Sequence, residues 1–297
     1  MTDKFESYEI LSHEEHVLKL PDTYIGSTAT GGEQRWILDP ESNKMVWKTV
    51  QFNPGLYKLF DEILVNARDA FVRASVTEGR QPIKRIDVTV KSTSAEPLIV
   101  TVENDGDGIP VEEHPTEKCY IPELIFGRLL TSSNYTEGEE KIVGGKNGYG
   151  AKLANIFSSR FCVSTHHPLT QKKYSQTWHK NMSVREKPSI KKAVGTKGSV
   201  AIEFAPDMTR FAGTVADGAL TADMLSVFHT RVVELAAMVG STVKVTWNGA
   251  AVVINSFDKY MKLFLKEGMA AITYENCGPR WEVGAVLARH LYSEDEG

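Results

Sequence analysis

Hydrophobic positions along the 297-residue chain fall into two rhythms. Leu56, Leu59, Phe60, Ile63, Leu64, Ala67, Ala70 and Phe71 recur at spacings of three and four, which predicts a helix over 54–75 with one apolar face. Pro54 suits its first turn. Leu225, Phe228, Val232, Leu235 and Val239 predict a second helix from Thr221 to Val239, stopped by Gly240. Shorter helices are expected over 121–137, where an apolar run follows Pro122, and over 257–265. Elsewhere apolar and polar residues alternate. Residues 33–52 read as a hairpin around Asp39 to Asn43, and 83–103 as two strands. Further strands are expected around Phe161–Val163, Tyr174–Trp178 and Val200–Phe204. Val243–Trp247 and Ala250–Ile254 flank an Asn248-Gly249 hairpin turn, and Ala271–Tyr274 and Trp281–Leu291 read as the last strands. Residues 1–30 lack such a pattern. They read as an N-terminal arm, either a loop covering the core or a segment crossing to a partner subunit.

Hydrophobic residues make up 41% of the chain and charged residues 24%, enough for a sizeable soluble core. The net charge of −4 argues against a chain that binds nucleic acid by bulk charge. Charge is nevertheless segregated: Lys141 to Lys197 holds twelve Lys or Arg and one acidic residue, Glu186. Lys172-Lys173 and Lys191-Lys192 fall in expected loops there. They either solubilise strand edges or face DNA phosphates. Cys119, Cys162 and Cys277 are widely separated and lack metal-ligand spacing, which suits a reducing compartment. No run approaches the ~18 apolar residues of a membrane span, so the protein is expected to be intracellular and soluble.

The candidate chemistry starts at Gly144-Gly145-Lys146-Asn147-Gly148-Tyr149-Gly150-Ala151-Lys152. Glycines turn backbone N–H groups toward an anion, and a helix beginning just after them adds its own. This is not a Walker loop, because Ala151-Lys152 follows Gly150 where Lys-Ser or Lys-Thr is needed. Leu153 excludes the third glycine of a dinucleotide fingerprint. On the 54–75 helix, Glu62, Asn66 and Asp69 share a stripe beside the apolar face, which is either a solvated stripe or a site wall. An amide oxygen suits Mg²⁺, and a carboxylate beside it can take a proton from an attacking water. Asn104 ends a strand before Asp105-Gly106-Asp107-Gly108, as a base reader or as part of a common turn. Thr131 to Tyr135 can cap a helix or bond a ligand, and Glu137 to Glu140 reads as a mobile segment, as a nucleotide lid would be.

Three segments, Glu62 to Ala67, Asn104 to Pro110 and Gly144 to Lys152, resemble the ATP-site motifs of the GHKL superfamily, which includes gyrase, Hsp90, histidine kinases and MutL proteins. Pro21 to Ser27, Phe52 to Ala67 and Leu129 to Tyr135 narrow the resemblance to the eukaryotic-type DNA topoisomerase II (type IIA) ATPase domain, from about Tyr8 to Trp281. The resemblance implies an α/β fold, an α+β sandwich with helices on one face of a mixed eight-stranded sheet. It divides the chain into an arm (1–30), a GHKL ATPase domain (31–255) and the start of a transducer domain (256–297).

It implies Glu62 as general base and Asn66 as Mg²⁺ ligand, with ATP as cofactor. Asn104 would pair with the adenine amine, and Ser132, Ser133 and Asn134 would contact ribose and phosphates. Gly145, Lys146, Asn147, Gly148, Tyr149, Gly150, Ala151 and Lys152 would wrap the triphosphate. Tyr24 would reach the other protomer's nucleotide. A homodimer, double-stranded DNA, the remaining topoisomerase modules and a nuclear location are implied with it. The chain departs from the family at Ala67-Arg68-Asp69-Ala70, where Ala-Ala-Asp-Asn is common, so one polar contact near the phosphates is lost. It also lacks the transducer lysine that reaches the γ-phosphate and the DNA-cleaving tyrosine. Such a module is expected to bind Mg-ATP and turn it over slowly; the alternative, to which Ala70 points, is a non-catalytic nucleotide-gated dimerisation module without efficient ATP turnover.

Overall fold

The computed structural model describes residues 11–93, 98–129, 149–265, 272–278 and 281–287. Its elements in order are α1 (His13–Lys19), β1 (Gly31–Asp39), β2 (Lys44–Phe52), α2 (Pro54–Val76), β3 (Arg85–Lys91) and β4 (Ile99–Gly106). They continue with α3 (Ile121–Gly127), α4 (Gly150–Ile156), β5 (Ser158–His167), β6 (Lys172–His179), β7 (Val184–Arg185), β8 (Ser189–Lys192) and β9 (Gly198–Pro206). Then come β10 (Val215–Ala216), β11 (Ala219–Leu220), α5 (Ala222–Val239), β12 (Lys244–Trp247), β13 (Ala250–Ala251), α6 (Phe257–Lys262), β14 (Thr273–Asn276) and β15 (Glu282–Ala285).

Among the described residues, the main sheet has the strand order β13-β12-β3-β4-β9-β5-β6-β7, with β8 also paired to β6. Only β12 and β3 run parallel; the other neighbours are antiparallel. The sheet has nine strands where eight were expected, because Val184–Arg185 and Ser189–Lys192 each pair separately with β6. Strand side chains alternate between faces. On β4, Val100, Val102 and Asn104 are buried under the helices, while Thr101, Glu103 and Asp105 face the opposite side.

Helices α2, α4 and α5 cover the inner face, and Leu59, Phe60, Ile63, Ile156, Phe228 and Val232 join the strand side chains in one core. Asn53 starts α2 by accepting the Leu56 N–H at 3.0 Å, and Pro54 follows it, so the cap and the apolar stripe together specify this helix. The Phe60 and Phe228 rings stack at 4.2 Å and lock α2 to α5. Arg231 reinforces that contact through Asp61 at 2.7 Å. Hairpin β1–β2 lies against α5, where Thr230 Oγ1 accepts the Leu38 N–H at 3.0 Å.

Five expectations are corrected. Helix α3 ends at Gly127, not near 137, because the chain turns extended at Arg128 and a side chain at 127 would collide with the Trp178 ring. Strand β15 stops at Ala285, well short of Leu291, and β13 covers only Ala250–Ala251. Lys172-Lys173 and Lys191-Lys192 are not loop residues: they sit opposite one another in β6 and β8. Finally, residues 13–19 form α1, held by a reciprocal capping box between Ser12 and Glu15, and its Val17 is fully buried in the core.

Candidate active site

A cavity of about 800 Å³ opens between α2, the ends of β4 and β9, α3, and the start of α4. Its size suits a small organic ligand. Val102 and Ile202 supply apolar surface from the sheet, and Ile125 and Phe126 supply it from α3.

Helix α2 provides the polar wall. Glu62 and Asn66 are one turn apart and both line the cavity. Lys58, a turn earlier, forms an ion pair with Glu62 Oε1. Glu62 Oε2 points at the first residue of α4, where a Cβ on Gly150 would overlap the carboxylate. Glycine at 150 therefore lets α4 begin against the α2 wall. A turn beyond Asn66, Asp69 is buried and accepts from Arg68 at 3.2 Å. Arg68 thus braces Asp69, and Ala70 presents only a methyl to the cavity. Burial lowers the Arg73 guanidinium from its ordinary value, and the nearby Asp69 carboxylate opposes that shift.

The strand end provides a single amide. Asn104 is 7% exposed, and its Nδ2 donates to the Asp105 carbonyl at 2.7 Å. The next residues fix it in place. The Asp105 carboxylate accepts from Lys84 N and Arg85 N at 2.7 and 3.0 Å, and Asp107 accepts from Gln81 N at 3.0 Å. Gly108 has φ +74° and approaches the His166 carbonyl closely enough to exclude any side chain. Ile109 N donates to Thr165 Oγ1 at 2.9 Å.

Across the cavity, Lys152 on α4 is 1% exposed, and burial pushes its ammonium down from 10.5 to about 8. Asn155 Nδ2 ties α4 to α3 through the Phe126 carbonyl at 3.0 Å. Tyr149 leads into α4, with Tyr24 at 6.4 Å and His13 at 5.9 Å between ring centroids. Tyr24 lines this chain's own cavity, and its hydroxyl bonds His16 Nδ1 at 2.9 Å. Among the described residues, no three His, Cys, Asp or Glu side chains converge on a metal position. One amide and one carboxylate on α2 fit a Mg²⁺ ion that takes most of its ligands from water and phosphate.

Residues 53–210 match the family described as histidine kinase-, DNA gyrase B-, and HSP90-like ATPase. The chain belongs to this ATPase family. It is similar to DNA topoisomerase 2 of Candida glabrata, with 43% identity over 300 residues that cover 95% of this chain and 20% of the relative. The crystal structure of the ATPase region of Saccharomyces cerevisiae topoisomerase II matches at a TM-score of 0.86 and 43% identity, covering 95% of this chain and 71% of that one. The ATPase and transducer domains of DNA topoisomerase II from Balamuthia mandrillaris match at 0.85 and 36% identity, covering 95% and 69%. The chain spans about a fifth of the length of the curated relatives it matches. The fold is that of the topoisomerase II ATPase region, a mixed sheet with helices on one face.

In this ATPase, Glu62, Asn66, Asn104, Tyr149, Gly150, Ala151, Lys152 and Tyr24 meet at one cavity. Ser132, Ser133, Asn134, Gly145, Lys146, Asn147 and Gly148 lie outside the described residues. Sequence reading missed Lys58 and Arg73 as wall residues. Lys58 was findable, because it stands four residues before Glu62. Arg73 had no signal beyond continuing the same helix face.

Proposed function

We propose that the cavity binds Mg-ATP and hydrolyses it as the ATPase module of a type IIA DNA topoisomerase. The observation that carries this reading is the meeting of Glu62, Asn66, Asn104 and Lys152 at one cavity from three separate elements. Asn104 Nδ2 is committed to the Asp105 carbonyl, so Oδ1 accepts from the exocyclic amine of adenine. Lys152 and the backbone of 145–151 hold the phosphates, and Ser132, Ser133 and Asn134 contact ribose and phosphates. Asn66 contributes an oxygen to Mg²⁺, which neutralises phosphate charge when bound. Glu62 accepts the proton of the water that attacks the γ-phosphate. Lys58 positions that carboxylate.

The same reading makes the chain one half of a homodimer that closes on nucleotide; Tyr24, beside Tyr149 at this chain's own cavity, contacts the nucleotide held there. Residues 1–30 act as the arm, 31–255 as the ATPase domain and 256–297 as the start of the transducer. The whole enzyme passes one DNA duplex through another, in the nucleus. Substituting Glu62→Ala is expected to cut phosphate release about 10²–10⁴-fold, with Mg-ATP binding retained by calorimetry. Unchanged phosphate release would sink the assignment of the base.

A further inference from the structure

Two tyrosines of the ATP cavity are backed by one short helix, none of whose described residues lines the cavity itself. His13 and His16 are three positions apart, so both project from one face of α1. His16 Nδ1 lies 2.9 Å from the Tyr24 hydroxyl, and the two rings meet edge-on at 5.9 Å. His13 meets Tyr149 edge-on, also at 5.9 Å. Tyr24 and Tyr149 both line the cavity, with ring centroids 6.4 Å apart.

The chain is anchored on both sides of the His16–Tyr24 bond. Val17, next to His16, is fully buried, and Arg210 donates to the Leu18 carbonyl at 3.3 Å. Ile25, next to Tyr24, is buried, and the Ser27 carbonyl accepts from Gly55 N at the start of α2 at 2.8 Å. Packing therefore places both rings. What the bond adds is direction, because it settles which way the Tyr24 hydrogen points. A phenol oxygen carries one hydrogen and two acceptor sites, and a neutral imidazole carries its hydrogen on one nitrogen or the other. With no hydrogen on Nδ1, Tyr24 spends its own on His16 and shows the cavity only lone pairs. With a hydrogen on Nδ1, His16 donates to the Tyr24 oxygen, and the hydroxyl hydrogen is released for a ligand. Among the described residues, His16 Nε2 has no hydrogen-bond partner, so no second contact fixes the tautomer. The choice falls to what the cavity holds. ATP presents mostly acceptors: phosphate oxygens, ribose oxygens and ring nitrogens.

We propose that His16 is a positioning residue for the nucleotide: in the complex it donates from Nδ1 to the Tyr24 oxygen, and Tyr24 donates to an acceptor of the bound ATP. His16 acts through Tyr24 and touches no ligand itself. This inference rests on the ATP reading of the cavity and extends the nucleotide's support to α1.

The test uses the full chain with isotope-labelled imidazole nitrogens, titrated with magnesium and a non-hydrolysable ATP analogue. Nitrogen chemical shifts report which ring nitrogen carries a hydrogen, and the His16 signals are those missing from His16→Asn. In the complex, His16 Nδ1 is expected to be protonated. Calorimetry supplies the second arm. His16→Leu and Tyr24→Phe are each expected to weaken binding of the analogue about tenfold, and the double variant no more than either alone, because both remove the same hydrogen bond to the ligand. His16→Asn keeps a donor at the same distance along the side chain and is expected to recover most of the affinity. An unprotonated Nδ1 in the complex overturns the proposal. So does unchanged affinity in folded His16→Leu, or losses that add in the double variant, since His16 then only packs. No binding of the analogue by the unsubstituted chain takes down the ATP reading and this inference together, whereas binding with an unprotonated Nδ1 takes down this inference alone.

Discussion

The two faces of the central sheet are built by opposite logic. On the inner face, functional groups converge from three elements: Glu62 and Asn66 from α2, Asn104 from the end of β4, Lys152 from α4. Their positions depend on packing, on the missing side chain at Gly150 and on backbone bonds to Asp105 and Asp107. On the outer face, side chains fall in repeating rows set by strand register alone. The inner face is therefore intolerant of single substitutions. The outer face changes in small, additive steps that respond to salt.

The contrast can be broken or sharpened in order of expected effect. Phe228→Ala removes the ring stacked on Phe60 and is expected to cost about 3–5 kcal/mol in urea unfolding. A loss below about 1 kcal/mol would mean that α2 and α5 are held by something other than this contact. Lys152→Met is expected to abolish Mg-ATP binding by a chain that stays folded, because it removes the buried ammonium at the cavity. Normal Mg-ATP affinity in the folded variant would reverse that assignment.

Acidity gives a third, smaller effect. The folded chain releases the Lys152 proton near pH 8, whereas the unfolded chain keeps it to about 10.5. Stability without nucleotide should therefore gain a contribution as pH rises from 8 toward 10.5, and Lys152→Met should lack that contribution. Mg-ATP affinity should move the other way and weaken above pH 8. Flat Mg-ATP affinity by titration calorimetry would contradict the second expectation, and flat urea-unfolding stability across that window the first. On the outer face, Lys173→Ser should stabilise by only about 0.2–1 kcal/mol, most visibly at low salt.

Legibility in the sequence divides along the same line. Helix α2 and strands β3 and β4 could be read because burial on one face imposes a period, and Glu62, Asn66 and Asn104 inherit their places from those periods. The corrections concern segments where local chemistry masked the period. Paired lysines look like loop residues, yet the adjacent Tyr174 and Ile190, opposite each other in the ladder, draw β6 and β8 together. Helix α1 has only one buried residue, Val17, and so no apolar stripe; its readable signal was Ser12 and Glu15 at capping-box spacing. Gly127, the last residue of α3, packs against the Trp178 ring, a tertiary contact that no local pattern encodes.

One detail of β4 bears on how such a protein could change. Glu103, Asn104 and Asp105 are consecutive, and only the middle side chain lies on the inner face of the sheet. Its partners in the ladder, Ile86 on β3 and Val200 on β9, count the register from both sides. Inserting or deleting a single residue upstream in this strand would turn the amide toward solvent and swing a carboxylate into the nucleotide pocket. Base selection here is thus a matter of parity, which a single-residue insertion or deletion in this strand reverses.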